Sequence, residues 1–227
     1  MNFNIEELAT SSFNLVISKR RAGKSYLIQD LVKKMADKKM VDIAFLFSGT
    51  NAGFEEVCPP ERRFTDIEPL HDILNNYKTF NQYNKQQTDE KKKIRFKACI
   101  IIDDLAVKLK SKEFNILETI AVNGRHFSYE PLSLCFFVIS QSLTKIPRVV
   151  RLQADTIIFN QIGSANELKL ICDECLYLAD SSLEGKKRAR QFYHDIVNSQ
   201  PYTFLVVENF RNNIRKMEDY LKSVRAS

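Results

Sequence analysis

Residues 18–25 read Ser-Lys-Arg-Arg-Ala-Gly-Lys-Ser and directly follow a short apolar run, 13–17. A turn of this kind leading into a helix suits one task, holding a polyphosphate. Unpaired backbone N–H groups at a helix start attract an anion, and Gly23 lets the backbone come close to it. Lys24 would reach the terminal phosphates, and the Ser25 hydroxyl would ligate Mg2+. The usual pattern for such loops opens with Gly, where this chain has Ser18. A side chain there narrows the backbone angles open to the turn, although serine is small enough to be tolerated. The expected phosphate-binding set is therefore Ser18, Lys19, Arg20, Arg21, Ala22, Gly23, Lys24 and Ser25.

A bound nucleoside triphosphate needs a carboxylate at the end of a second strand. The run Ala98-Cys99-Ile100-Ile101-Ile102 stops abruptly at Asp103 and Asp104. Asp103 would hold Mg2+, directly or through water, and Asp104 stands where a general base could polarise the attacking water. Many such enzymes use Glu as base, so Asp104 departs from the common choice. A third apolar run, 134–139, ends at Ser140 and Gln141. In additional-strand P-loop ATPases, which these motifs resemble, a strand lies between the other two and a polar residue at its tip can touch the γ-phosphate; Gln141 is placed for that duty. The expected ligands are ATP and Mg2+.

The elements that must position these residues alternate along the chain. Apolar runs at 13–17, 43–47, 98–102, 134–139, 156–159 and 202–207 are mostly continuous, as for strands buried on both faces of a parallel sheet. Helical patterns lie between and after them at 24–37, 69–87, 112–121, 146–152, 166–178 and 211–224. Strand followed by helix predicts an α/β layered sheet with right-handed crossovers. The 227 residues suit a single domain, 1–227, with one polar helix and loop excursion at 75–95 and one basic excursion at 180–200.

Composition sets outer limits. Hydrophobic residues make up 44% and Gly and Pro six each, which excludes collagen-like and Gly/Pro-rich disordered chains. The most apolar stretch, 132–139, is far shorter than the roughly 20 residues that span a bilayer, and no signal peptide is apparent. Five cysteines, an odd number, point to reduced thiols and an intracellular protein. A net charge of +6 permits a polyanionic partner.

Taken together, residues 18–25 with Lys19-Arg20 near the start, Ile100 to Asp104 ending Asp-Asp, Asn123-Gly124-Arg125-His126-Phe127, Val138-Ile139-Ser140-Gln141, and then Pro147, Arg151 and Asp155-Thr156-Ile157-Ile158-Phe159 resemble the FtsK/HerA group of DNA-pumping ATPases. Within that group the chain is most similar to the genome-packaging ATPases of large DNA viruses, the poxvirus and giant-virus type. The resemblance covers roughly residues 13–163. It implies a RecA-like additional-strand P-loop NTPase, a homo-oligomeric ring (a hexamer) with ATP between subunits and double-stranded DNA in the channel, a capsid or portal partner, and a place in virions and host cytoplasm. It also implies an arginine reaching across the interface to the γ-phosphate. Arg125 is the first candidate; Arg148 and Arg151 follow. Two alternatives stay open: a HerA-like translocase of a cell or mobile element, and a weakly hydrolysing nucleotide switch or scaffold. A small-molecule kinase fits less well, since no Arg-rich lid is apparent.

DNA contact would come from Lys/Arg on channel loops, through phosphates. The best cluster is Lys186-Lys187-Arg188-Ala189-Arg190 with Phe192 and Tyr193; Lys91–Lys93 is a second. Between Lys186 and Arg225 stand nine Lys/Arg against four Asp/Glu, which places much of the positive charge C-terminally. Cys172 and Cys175 have no second such pair for zinc, even recruiting His194, and their spacing suits two buried helix positions. Cys99 and Cys135 fall in strands as packing residues. His126 would support Arg125, and His71 shows no role.

Overall fold

The computed structural model describes the chain except residues 1–2, 51–52, 105–110, 128–130, 177–181, 210–220 and 226–227; the side chains of residues 7, 111–115, 125–127 and 221–222 also lie outside the description. Eight strands, β1 (Phe13–Ile17), β2 (Ile43–Ser48), β3 (Arg63–Phe64), β4 (Phe96–Asp103), β5 (Leu132–Ser140), β6 (Thr156–Phe159), β7 (Thr203–Glu208) and β8 (Leu221–Arg225), form one sheet in the order β3-β2-β4-β5-β1-β6-β7-β8. The first six pair in parallel; β7 and β8 are antiparallel to their neighbours. Among the described residues six α-helices accompany it: α1 (Lys24–Asp37), α2 (Glu68–Gln86), α3 (Ser111–Phe127), α4 (Arg148–Leu152), α5 (Ala165–Ile171) and α6 (Leu183–Val197).

The continuous apolar runs are buried on both faces. Every residue of β1 and β5 is buried. Alternate side chains enter opposite layers: Leu15, Ile17, Ile100, Ile102, Phe136 and Val138 on one side, Val16, Cys99, Ile101, Phe137 and Ile139 on the other. Each fully buried Leu, Ile or Phe contributes about 1.5–3 kcal/mol, which is why the central strands tolerate few polar residues. The first layer is closed by α2 to α6. The second is closed by α1, through Leu27, Ile28, Leu31, Val32 and Met35, together with Ile5, Leu8, Phe54 and Cys58.

Register decides what meets at the strand ends. Ile17 lies opposite Ser140, and Asp103 opposite Ile139. With β5 between β4 and β1, the C-terminal ends of all three finish level with one another. The strand expected between the two phosphate-site strands is therefore β5.

Some segments differ from the sequence-based expectation. Of the span 211–224, residues 211–220 lie outside the description, and Leu221–Arg225 is a strand, not helix. A sheet edge supplied the competing partner: β8 pairs with β7, Val224 packs on the second layer, and the Phe3 N–H donates to the Ser223 carbonyl at 2.8 Å. Helix α5 ends at Ile171 and passes into a π-helical turn, Cys172–Leu176, that buries Cys172 and Cys175 in the core. In residues 75–95, Tyr77 is buried and donates its hydroxyl to the Ser133 carbonyl at 3.0 Å. The Asn84 amide bonds both ways with the Ile94 backbone, at 2.9 and 2.8 Å, so the chain after α2 returns directly to β4. In residues 180–200, α6 sets Ala189, Tyr193 and Val197 into the core.

Candidate nucleotide-binding and hydrolysis site

The loop after β1 is pinned at its root between both neighbouring strands. The Ser18 N–H donates to the Ser140 carbonyl at 3.2 Å, and the Lys19 N–H to the Gln161 carbonyl at 3.0 Å. Two loop residues are left-handed, Arg21 at φ 59° and Gly23 at φ 85°. Ser18 is not among them and is fully buried, so the turn's first position makes no demand that only glycine could meet. Gly23 caps α1 without a side-chain hydrogen bond, and the first turn of α1 holds no acidic residue. That end of the helix thus offers N–H groups and positive dipole to an anion. Lys24 is buried, and its Nζ donates to the Ser18 and Lys19 carbonyls at 2.6 and 2.9 Å. Burial lowers its pKa, while Asp104 and Asp103 act against that shift.

The acids stand beside this loop. The Ser25 hydroxyl donates to Asp103 Oδ2 at 3.3 Å. Asp104 is left-handed, at φ 54°, with its N–H on the Ile139 carbonyl at 3.2 Å. Gln141 Nε2 donates to Asp104 Oδ2 at 2.7 Å, whereas Asp104 Oδ1 is buried without a hydrogen-bond partner. A buried carboxylate oxygen without a partner is costly, and Asp104 adopts a left-handed backbone that aspartate tolerates. The paired hard oxygens of Ser25 and Asp103, with the Asp104 carboxylate beside them, fit Mg2+.

Burial first, and then the neighbouring Asp104 charge, push Asp103 up to about 6, against the pull of Ser25 and Lys24. The folded protein therefore holds this proton more tightly than the unfolded chain. Its contribution to stability is greatest below the unfolded pKa and is lost as pH rises from about 4 through about 6. In chelator at pH 8, Asp103→Asn is expected to raise the unfolding free energy by about 1–3 kcal/mol. The same substitution at pH 4 changes it little. Urea unfolding at the two pH values checks this; equal effects at both would contradict it.

Lys24, Ser25, Asp103, Asp104 and Gln141 thus meet at the ends of three adjacent strands. Arg151 does not join them. It is buried, forms a two-pronged pair with Glu174 at 2.8 Å in each arm, and donates to the Ile146 carbonyl at 2.6 Å. Its hydrogen bonds tie the segment after Gln141 to the π-helical turn within one chain, so it leaves the set of arginines that could reach a neighbour. Arg148 is exposed, 3.7 Å from Glu174. Arg125 falls in α3, and its side chain, like that of His126, lies outside the described residues.

The basic cluster on α6 also needs correction. Tyr193 is buried, donates to the Asn160 carbonyl at 2.8 Å, and is pushed up to about 12 by burial; Phe192 is half-buried against the core. Neither ring is open for stacking on a base. Lys187, Arg188 and Arg190 are exposed on α6. Cys99 and Cys135 lie opposite each other in β4 and β5, both fully buried. Among the described residues no group of three His, Cys, Asp or Glu could hold a metal, and no helix is long and apolar enough to cross a membrane. Sequence reasoning missed Tyr202, whose ring packs on Gly23, and Asn160, whose amide donates to the Thr203 carbonyl at 2.7 Å.

No protein-family profile and no curated protein matches the sequence. Solved structures do match. The genome packaging NTPase B204 of Sulfolobus turreted icosahedral virus 2, in complex with sulfate, aligns at TM-score 0.62 and 14% identity over 97% of this chain and 98% of that one. B204 has also been solved with AMPPCP and with ATP-γS. The pCW3 conjugation coupling protein TcpA aligns at 0.59 and 13% identity, over 96% of this chain and 60% of that one. EssC ATPases 2 and 3 from Geobacillus thermodenitrificans align at 0.54 and 12%, over 84% and 45%. The fold is therefore the RecA-like α/β fold, shared with a viral genome packaging NTPase, a conjugation coupling protein and the EssC ATPases.

Proposed function

We propose that the chain is a single P-loop ATPase domain, residues 1–227, that hydrolyses ATP to drive double-stranded DNA into a viral capsid. The observation that carries the ATPase part is the convergence of Lys24, Ser25, Asp103, Asp104 and Gln141 at the ends of β1, β4 and β5. The viral part is supported by the end-to-end likeness to a virus's genome packaging NTPase, which matches in length as well as in fold.

In this reading the loop amides and Lys24 bind the phosphates, and Ser25 and Asp103 hold Mg2+, which would neutralise phosphate charge. Asp104 accepts a proton from water as the water oxygen bonds to the γ-phosphorus and the bond from that phosphorus to the β–γ bridging oxygen breaks. Gln141 holds Asp104 through Oδ2 and senses the γ-phosphate. Arg125, from a neighbouring subunit of a homo-oligomeric ring, a hexamer, stabilises the charge that develops. Exposed lysines and arginines of α6, with Lys91–Lys93 as a second group, contact DNA phosphates, and the protein works at the capsid vertex in virions and host cytoplasm. The likeness to a conjugation coupling protein favours a second reading, a translocase of a mobile element.

Displacement of a triplex-forming strand from long duplex DNA tests the motor. ATP-dependent displacement that stops with a non-hydrolysable analogue is the expected result. ATP hydrolysis without displacement, with DNA bound, would instead mark a nucleotide switch. Adding the virus's procapsid separates packaging from transfer by a mobile element.

A further inference from the structure

The geometry points to Tyr202 as the platform on which the nucleobase of the bound triphosphate stacks. This inference rests on the phosphate-site reading above. Asp104 and Gln141 fix the γ end of a triphosphate on the β4 and β5 side of the loop. The strand order places β6 and β7 on the other side of β1, so the nucleoside end leaves toward their tips.

Tyr202 stands there, one residue before β7. Its backbone is left-handed, φ 61°, an outlier for a bulky residue that persists only where the surroundings hold it. The surroundings do hold it. The Thr203 N–H donates to the Gln200 carbonyl at 3.3 Å, Asn160 binds the Thr203 carbonyl, and Arg225 donates to the Gln200 side chain at 2.7 Å. The effect is to press the ring on the phosphate loop: a Cβ on Gly23 would stand 2.8 Å from Tyr202 Cδ1. A glycine at position 23 therefore serves two needs, its left-handed turn and the space taken by the ring. Yet the tyrosine remains 54% exposed. A large apolar ring fixed beside a phosphate loop and left half in water has an open surface, and a purine is a flat partner of matching size. Stacking of a base on an aromatic side chain is strong enough to show in affinity.

Calorimetric titration of the full chain with Mg-ATP and with Mg-tripolyphosphate, which has no base, is the test. Tyr202→Ala is expected to weaken ATP about 5- to 100-fold and to leave tripolyphosphate unchanged; Tyr202→Phe restores ATP binding. Equal loss for both ligands would overturn the proposal, because the ring would then only shape the loop. No loss for either would overturn it as well, while leaving the phosphate site standing. Wild-type protein that binds neither ligand would remove the phosphate site and this inference together.

Discussion

Asp104→Asn lowers the rate constant for ATP hydrolysis by about 10²- to 10⁴-fold, the range general-base catalysis supplies, and leaves ATP bound. Asparagine is nearly the same shape and tolerates a left-handed backbone as aspartate does, so the φ of 54° is no obstacle. Its amide oxygen can still accept from Gln141 Nε2. What it lacks is the capacity to take a proton. Single-turnover hydrolysis and retention of intact ATP on a filter separate the two effects. A variant that hydrolyses at the wild-type rate would remove Asp104 as the base.

Lys24→Ala acts at the earlier step: ATP affinity falls about 100-fold or more, in the range seen when one member of a buried charged pair is removed. The Lys24 ammonium donates to two carbonyls of its own loop, Ser18 and Lys19. It is thus already on the loop that receives the phosphates. It also opposes the rise in the pKa of Asp103, so its loss leaves two neighbouring carboxylates without their cation. The variant should therefore hold a proton on Asp103 above pH 6 when metal is absent. Equilibrium titration with ATP checks affinity, and thermal unfolding in chelator establishes that the variant is folded. Wild-type affinity would mean that Lys24 does not touch phosphate. Read as a pair, the two variants divide binding from chemistry.

What could be read from sequence was what is local in the chain. The phosphate loop is contiguous, and each of the other two site elements is an apolar strand that stops at a polar tip, so Asp103, Asp104 and Gln141 announce their place at one end of a sheet. That the strand bearing Gln141 lies between the others followed from the resemblance, and the register of β4, β5 and β1 shows it. What escaped depended on partners far along the chain. Arg151 looks like any exposed arginine until Glu174, on the π-helical turn, is seen to grip it. Tyr193 sits in a basic run, and only the helix phase of α6 shows that it turns inward with Ala189 and Val197. Residues 221–225 carry helix-compatible types, and the free edge of β7 overrode that preference. Tyr202 follows a proline and reads as the first residue of the apolar run 202–207, and nothing local links it to Gly23.

The central claim is that ATP turnover at this site is coupled to DNA, and steady-state hydrolysis with and without long double-stranded DNA tests it most directly, with Lys24→Ala as the blank. The account predicts turnover that duplex DNA raises several-fold and that the substitution abolishes. Turnover that Lys24→Ala abolishes but DNA leaves unchanged would contradict the motor and leave a nucleotide-hydrolysing switch.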